Sequence, residues 1–380
     1  MICYRCMRVS SQETCEHCGF NIRHYETPQF ALRPGTILKK TYLLGTVIGN
    51  GGFGITYIGY DNAGKRRVAI KEFFPASAVM RDNRTGSQVS VNGSMRENYQ
   101  RGVQKFYNEA SVMSQIRGID NIVPIYDFFY ENNTAYIVMK YIDGTPVDKI
   151  IKNQGPLSVE MVLTIYYPIL EALRELHNRA LLHRDISPSN IMLDETFRPV
   201  LIDFGASRVY SEALSSDMTV ILKQGFAPLE QYTRKGHHGP AEDIYALSAS
   251  MYYTLTGQIP PMSTDRIRFD TLRPISDFVD SVPGGIENVI MKGLAVRSED
   301  RFQSADDMIR AIDAALLLEK HDGWQDESHR TNREDSDDEG GKEGTFGFIR
   351  NFQSVPGLLM TGIFAVIVLL VIFLILLLSQ

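Results

Sequence analysis

The chain has 380 residues and a formal net charge of −6, from 39 basic and 45 acidic side chains. This length is enough for one large domain of about 280 residues with smaller segments at its two ends. The acidic excess is concentrated near 321–344 and no segment is strongly basic, so we expect no binding to nucleic acid.

All the cysteines lie near the start of the chain, as Cys3-x-x-Cys6 and Cys15-x-x-Cys18. Two such pairs on tight turns suit a tetrahedral site in which four thiolates bind one zinc ion at about 2.3 Å. Two disulfides are the alternative, and the reducing compartment indicated by the lack of a signal peptide disfavours them. We therefore predict a structural zinc ribbon over 1–24. It could dock onto a partner, a second copy of the chain or the large domain.

A glycine-rich turn follows the predicted strand 42–48. Gly49, Gly51 and Gly54 allow backbone N–H groups to approach phosphate oxygens, where a Cβ would intrude. Alone the pattern is weak, and a flexible hairpin turn would explain it equally well. A strand rather than a helix follows the glycines, which argues against a dinucleotide-binding fold.

The next apolar strand, 68–71, ends in Lys71. A lysine in this place can reach the α and β phosphates of a nucleotide if a carboxylate holds it. Glu109, in the predicted helix 97–116, is the candidate carboxylate, and a solvated helix glutamate is the alternative. The polar insert between them, 76–95, predicts a surface loop or a β-hairpin.

The most informative motif is the segment 183–190, HRDISPSN, which is followed by DFG at 203–205. In phosphoryl transfer the protein mainly positions groups and neutralises charge. Asp185 beside a hydroxyl nucleophile, with Asn190 and Asp203 as oxygen ligands of Mg²⁺, would supply much of that machinery.

Three residues further along extend the series. In the run APLEQ, Glu230 is available to pair with a distant arginine, and Arg301 is the candidate. Asp243 opens an apolar helix and would anchor the backbone of the catalytic segment. A plain N-terminal helix charge is the alternative for Asp243.

With these elements in this order, the chain resembles the eukaryotic-like serine/threonine protein kinases of bacteria over 38–317. The resemblance implies an α+β fold with two lobes, a small β-rich one and a larger helical one, and ATP in the cleft between them. It also implies an enzyme that transfers the γ-phosphate of ATP to hydroxyl groups of protein substrates.

The resemblance also implies roles for individual residues. Asp185 would accept or orient the substrate hydroxyl, and Lys71, fixed by Glu109, would position the phosphates. The adenine would bind the backbone of 140–142, with Met139 at the back of its pocket. The residues expected to contact ATP or its Mg²⁺ are Ile48, Gly49, Gly51, Gly54, Lys71, Lys140, Ile142, Asn190 and Asp203.

Two positions depart from the family pattern. Many kinases of this class have a lysine two residues after the catalytic aspartate, where this chain has Ser187. The same kinases usually have a threonine where this chain has Lys223. Because these two positions normally contact each other, we hypothesise that Lys223 supplies the charge that is missing at Ser187. The alternative is a solvated loop cation.

Arg184, just before the catalytic aspartate, is typical of kinases whose activation segment is ordered by a phosphate, because arginine and phosphate pair strongly. Ser215, Ser216 and Thr219 are the candidates for autophosphorylation, and ordinary polar loop residues are the alternative. Two other functions stay open: a nucleotide-binding pseudokinase that acts as a membrane scaffold, and a kinase-fold enzyme that acts on a small molecule.

The last part of the chain predicts a membrane anchor. Residues 357–378 are almost wholly apolar and uncharged, and at about 1.5 Å per residue one helix of this length crosses a bilayer. We expect a single-pass protein of the cell membrane with its kinase domain in the cytoplasm, since Lys342 and Arg350 precede the span. The acidic segment 318–354 predicts a disordered tether.

Overall fold

A computed structural model describes residues 1–52, 54–81, 86–203, 223–232 and 238–330. The candidate phosphorylation sites Ser215, Ser216 and Thr219 and the predicted span 357–378 lie outside these residues. The chain divides into two compact units, 1–322 and 323–380. Everything below concerns the first unit, apart from the end of its last helix.

The strands of the described residues are β1 (Ile37–Leu38), β2 (Tyr42–Gly51), β3 (Gly54–Asp61), β4 (Arg66–Phe73), β5 (Val79–Met80), β6 (Ser90–Val91), β7 (Ile125–Glu131), β8 (Thr134–Lys140), β9 (Gly144–Pro146), β10 (Ile191–Asp194) and β11 (Pro199–Leu201). The α-helices are α1 (Arg96–Ser114), α2 (Val147–Gln154), α3 (Val159–Asn178), α4 (Pro240–Thr256), α5 (Ser263–Arg266), α6 (Gly284–Gly293) and α7 (Ala305–Arg330).

The N-terminal lobe is a six-stranded antiparallel sheet in the order β1-β2-β3-β4-β8-β7, with α1 packed against it. The central strand β8 is buried from Thr134 to Met139, and β4 buries Val68, Ala69 and Ile70 at its centre, although it also carries charged residues. The apolar face of α1 carries Phe106, Ala110 and Met113, all buried, and the Phe106 ring lies 5.4 Å from that of Phe73. The predicted helix 97–116 is therefore confirmed.

The polar insert forms the predicted hairpin, because β5 pairs with β6 in antiparallel register. It is not only a surface feature, since Arg81 is fully buried and forms an ion pair with Glu72. The hydroxyl groups of Tyr57 and Tyr136 also donate to the Glu72 carboxylate. A buried charge is tolerated only when it is paired and hydrogen-bonded, so this network fastens the insert to the sheet.

The C-terminal lobe is helical and is built around α3 and α4, which pack against each other, and α4 also packs against α6. Ser158 caps the start of α3 by accepting a hydrogen bond from the Met161 N–H. Gly257 ends α4 in the left-handed conformation, with φ of 69°. A small sheet in the order β11-β10-β9 lies next to the catalytic segment, which places that segment at the junction of the lobes.

The last helix is longer than the sequence predicts, because α7 continues to Arg330 and so includes the first part of the expected tether 318–354. Residues 318–330 contain no proline, the residue that breaks a helix most strongly, so the polar composition of this stretch does not prevent a helix. None of the helices in the described part of the chain is long and apolar enough to cross a bilayer.

The segment 1–24 folds as two small knuckles that follow one pattern. In the first, Ile2 pairs with Val9; in the second, Thr14 pairs with Asn21. Each knuckle carries one Cys-x-x-Cys pair at its turn. The segment lies against the N-terminal lobe, which matches one of the three docking alternatives that the sequence left open.

Candidate active site

Asp243, in the first turn of α4, binds the backbone of the catalytic segment. Its carboxylate accepts hydrogen bonds from the N–H groups of His183, at 2.8 Å, and Arg184, at 2.7 Å. The third contact is His177 Nε2, at 2.9 Å. Burial raises the pKa of Asp243, but His177 and the backbone donors outweigh it and leave the pKa below its usual range. The backbone before Asp185 is therefore fixed by a buried carboxylate.

Asp185 and Asn190 are joined directly, five residues apart. The amide nitrogen of Asn190 donates to the Asp185 carbonyl oxygen at 2.8 Å and to its carboxylate at 2.9 Å. This leaves the amide oxygen of Asn190 to act as a ligand. Burial raises the pKa of the Asp185 carboxyl, although the nearby ammonium groups of Lys223 and Lys71 oppose the effect.

Lys71 forms its ion pair with Asp203, at 2.8 Å between Nζ and Oδ1. The predicted pair with Glu109 is not formed among the described residues, and the buried Oε2 of Glu109 has no hydrogen-bond partner there. Both side chains nevertheless line one cavity, of about 30 Å³, together with Asp203 and Met139. Lys71 therefore pairs with Asp203 and not with Glu109.

The pKa values of this cluster follow from burial and charge. Burial lowers the pKa of Lys71, but the negative charges of Asp203, Asp185 and Glu109 raise it by more than burial lowers it. The Lys71 ammonium therefore stays charged. Burial raises the pKa of Asp203 and the charge of Lys71 more than reverses this. Burial also raises the pKa of Glu109 to about 7, against weaker opposition from Lys71 and Arg184. Glu109, which forms no ion pair among the described residues, is thus the carboxyl of this cluster whose pKa lies closest to neutral pH.

Lys223 lies beside the catalytic aspartate. Its Nζ donates to Ser187 Oγ at 2.7 Å and is 3.2 Å from Asp185 Oδ1. Ser187 is almost fully buried, whereas the Lys223 side chain keeps about a third of its surface exposed (36 %). The contact predicted between these two positions is therefore present, and it brings an ammonium to the catalytic carboxylate.

The glycine-rich turn joins β2 to β3, the strand predicted to follow it, and the two strands pair in antiparallel register with Gly51 facing Gly54. A side chain on Gly54 would place its Cβ 2.6 Å from the Glu72 carbonyl oxygen, so protein packing requires this glycine. At Gly51 a Cβ would meet no atom within 4 Å, and at Gly49 it would make only ordinary contacts. The fold itself therefore leaves space beside these two glycines.

The segment that connects the lobes follows β8. Met139 and Ile142 are buried, and Ile48, in the last part of β2, is about half exposed. The Lys140 N–H donates to the Pro124 carbonyl oxygen at 3.0 Å. Of the backbone groups predicted to bind adenine, this N–H is already used, which leaves the Lys140 carbonyl oxygen and the groups of Ile142.

The predicted pair of Glu230 and Arg301 is formed and is buried. Two guanidinium nitrogens of Arg301 donate to the two carboxylate oxygens, at 2.6 and 3.1 Å. Arg301 also donates to the carbonyl oxygens of Ala241, Ala295 and Val296. This pair connects the end of the activation segment to the core of the C-terminal lobe.

The four cysteines meet at one point. Their sulfur atoms lie within 4.8 Å of one another, and the Cys3–Cys18 and Cys6–Cys15 distances are both 3.7 Å. Four thiolates at about 2.3 Å from a central zinc ion, placed tetrahedrally, would be about 3.8 Å apart. None of the four forms a disulfide. The donor set and its spacing therefore fit a zinc ion.

Two contacts at the site were not predicted. His177 supports Asp243, and Gln231 Nε2 donates to the Arg184 carbonyl oxygen at 3.3 Å. Each lies far along the chain from the residue that it supports. The closeness of His177 to the catalytic motif, six positions before His183, is the only signal that could have suggested it.

Comparison with known proteins agrees with this geometry. The family described as "Protein kinase domain" matches residues 42–304. Serine/threonine-protein kinase D of Synechocystis is 32% identical over 283 residues, 71% of this chain and 51% of that protein. Serine/threonine-protein kinase PrkC of Bacillus subtilis is 29% identical over 308 residues, 78% of this chain and 44% of that protein. The chain thus spans about half the length of these curated relatives.

A solved structure, described as PpkA-294 in its apo form, has the same architecture. It is 32% identical, with a TM-score of 0.66, and the match covers 74% of this chain and 99% of that one. The family match at 42–304 includes Lys71, Asp185, Asn190 and Asp203, which meet in the cleft.

Proposed function

We propose that this chain, which belongs to the protein kinase family, transfers the γ-phosphate of ATP to serine or threonine hydroxyl groups of proteins. One observation carries the proposal: Lys71, Asp185, Asn190 and Asp203 lie in one cleft, at the contacts described above. The names of the curated relatives support the choice of serine and threonine as acceptors.

The cleft residues suit a nucleotide with its metal ion. Asn190 and Asp203 would hold Mg²⁺ through oxygen atoms, the donors that this ion prefers. The ion would neutralise charge on the phosphates, while Lys71 positions them and Asp185 accepts or orients the proton of the substrate hydroxyl. The space beside Gly49 and Gly51 is where the backbone of the turn would approach the phosphates.

Lys223 would act as the cation for the transferred phosphoryl group. The support is its position: it contacts Ser187, which stands where related kinases place a lysine, and it lies 3.2 Å from the catalytic carboxylate. A cation in the cleft stabilises the charge of the transition state, and losing such a group costs orders of magnitude in rate.

The four cysteines would bind a structural zinc ion. All four positions of a tetrahedral site are taken by thiolates, so no position is left for substrate or water. Such an ion stabilises a segment that is too small to have its own core.

Residues 357–378 would anchor the kinase to the cell membrane, with the catalytic domain in the cytoplasm where ATP is available. The support is their apolar composition over a length that spans a bilayer. Tethering raises the local concentration, which would favour phosphorylation of one copy by another within the activation segment.

The test compares the full chain, purified in detergent, with Asp185→Asn and with the matched exposed variant Asp280→Asn. Each protein receives ATP, Mg²⁺ and a protein substrate, and transferred phosphate is measured with ATP binding. We expect Asp185→Asn to lose at least about 100-fold in rate while still binding ATP, and Asp280→Asn to lose nothing. ATP binding without transfer by the unmutated chain would instead favour a pseudokinase scaffold.

A further inference from the structure

The strand that leads into the glycine-rich turn pairs irregularly with its neighbour. The register of β2 against β3 shifts between Leu44 and Val47, and again between Val47 and Gly49. An extra residue in one strand leaves backbone groups without a partner in the other. The irregular stretch ends where the turn that would contact ATP begins.

The ribbon at 1–24 and the residue that follows it supply the missing partners. The Thr46 N–H donates to the Tyr4 carbonyl oxygen at 2.8 Å, and the Val47 N–H donates to the Tyr25 hydroxyl at 3.0 Å. Because an unpaired buried N–H is costly, these two bonds stabilise the shifted register of β2.

Gly45 shows that the contact is close. A side chain there would place its Cβ 2.1 Å from the Tyr4 carbonyl oxygen and 2.2 Å from Met7 Cε. The backbone of Gly45 is not in the left-handed region, so its own conformation does not require glycine. Contact with the ribbon, together with a 2.9 Å approach to Ile58 Cγ2, excludes a side chain at this position.

The two hydrogen bonds from Thr46 and Val47 depend on the metal site. Tyr4 lies between the ligands Cys3 and Cys6, and Tyr25 follows the second knuckle. A segment of this size has little core of its own, so without a metal ion its fold would be lost. The contacts of Thr46 and Val47 would then be lost with it.

From these contacts we propose that Tyr4 and Tyr25 are positioning residues for the nucleotide loop, and that metal binding by the four cysteines sets the affinity of the cleft for ATP. The proposal rests on the kinase function above only for the identity of the nucleotide. The path is short, because Val47 is two residues from Gly49. Release of the metal by chelation would weaken ATP binding while leaving Asp185, Asn190 and Asp203 in place.

The test uses the full chain in detergent and three variants. Tyr25→Phe removes one hydrogen bond to β2 and keeps the ring packed on Phe20. Tyr167→Phe is the matched control, since it removes a hydroxyl bond to Asp313, at 3.0 Å, in the other lobe. Gly45→Ala displaces the ribbon while the cysteines remain. The readouts are bound zinc, the dissociation constant of a non-hydrolysable ATP analogue, and the KM for ATP against kcat.

We expect Tyr25→Phe to keep its zinc and to bind the analogue about three- to fivefold more weakly, the effect of one hydrogen bond of about 1 kcal/mol. Gly45→Ala and metal-depleted protein lose both contacts and should weaken binding about tenfold or more, mostly through KM. Tyr167→Phe should match the unmutated chain.

Unchanged affinity in Tyr25→Phe and in metal-depleted protein would overturn the proposal. So would a purified full chain that contains no metal, because the ribbon would then fold without one. Analogue binding is measured without phosphoryl transfer, so a chain that binds ATP and transfers nothing would refute the kinase function and still report on this coupling.

Discussion

Lys223→Thr tests the least expected feature of the active site. The substitution removes the ammonium that lies 2.7 Å from Ser187 Oγ and 3.2 Å from Asp185 Oδ1, and it puts in place the residue usual in related kinases. If Lys223 neutralises the transferred phosphoryl group, the rate of the chemical step should fall.

The size of the effect follows from the distance and the exposure of the side chain. Two unit charges about 4 Å apart interact by about 4 kcal/mol at the effective dielectric constant typical of a protein surface. The Lys223 side chain is 36 % exposed, so solvent screening reduces this contribution. We therefore expect a loss of about 1.5 to 3 kcal/mol, or about 10- to 100-fold in kcat.

The assay is single-turnover phosphoryl transfer at saturating ATP, compared with equilibrium binding of ATP. A second variant combines Ser187→Lys with Lys223→Thr. It places the ammonium at position 187 instead of 223 and should recover most of the lost rate. Lys152→Ala is the control, because Lys152 is an exposed lysine on α2 that pairs with Asp148. Lys223 does not neutralise the phosphoryl group if Lys223→Thr keeps its full rate, or if the double variant is as slow as the single one.

Three further changes test other contacts. Glu109→Gln should flatten the dependence of unfolding free energy on pH between about 4.5 and 7, because the folded state binds the extra proton there and stability falls as pH rises. Arg301→Ala removes the guanidinium that pairs with the buried Glu230 carboxylate and should cost about 3 to 5 kcal/mol in denaturant unfolding. Asp243→Asn weakens the support of His183 and should lower kcat about tenfold with little change in KM for ATP.

Each of these three predictions would be contradicted by one result. An unchanged pH slope in Glu109→Gln would show that Glu109 is ionised as an ordinary carboxyl. Arg301→Ala with unaltered stability would show that the pair is solvated; the exposed variant Arg297→Ala is its control. If Asp243→Asn changes stability alone and not kcat, the anchor is structural only.

Local motifs in the sequence predicted the two-lobed fold, and the structure brings the residues of those motifs together in one cleft. The run HRDISPSN and the later Asp203 each occupy the place expected of them, and α1 carries Glu109 into the cleft. These features are readable because each depends on a short segment: hydrophobic period, a glycine turn, or a fixed spacing along one loop. The contact of Ser187 with Lys223 was predicted only through family resemblance.

Contacts between distant segments could not be read in the same way. The polar insert looks like a surface loop, and nothing in its composition shows that Arg81 reaches the buried Glu72. Gly45 looks like an ordinary strand glycine, although the ribbon approaches it. The neighbour of Gly45 lies far along the chain. Arg81 and Glu72 are only nine residues apart, but they meet only because the insert folds back onto the sheet, so single-sequence patterns carry no trace of either contact.

The pairing of Lys71 with Asp203 follows from the charge balance of the cleft. Asp185, Asp203 and Glu109 face Lys71, Lys223 and Arg184, so each acid has a cation near it. A magnesium ion bound by Asp203 would replace Lys71 as its counter-charge. Lys71 would then be free for the phosphates and for Glu109, whose Oε2 has no hydrogen-bond partner among the described residues and whose pKa burial raises to about 7. ATP binding should therefore lower the pKa of Glu109 and release a proton near neutral pH, which calorimetry in buffers of different ionisation enthalpy would detect.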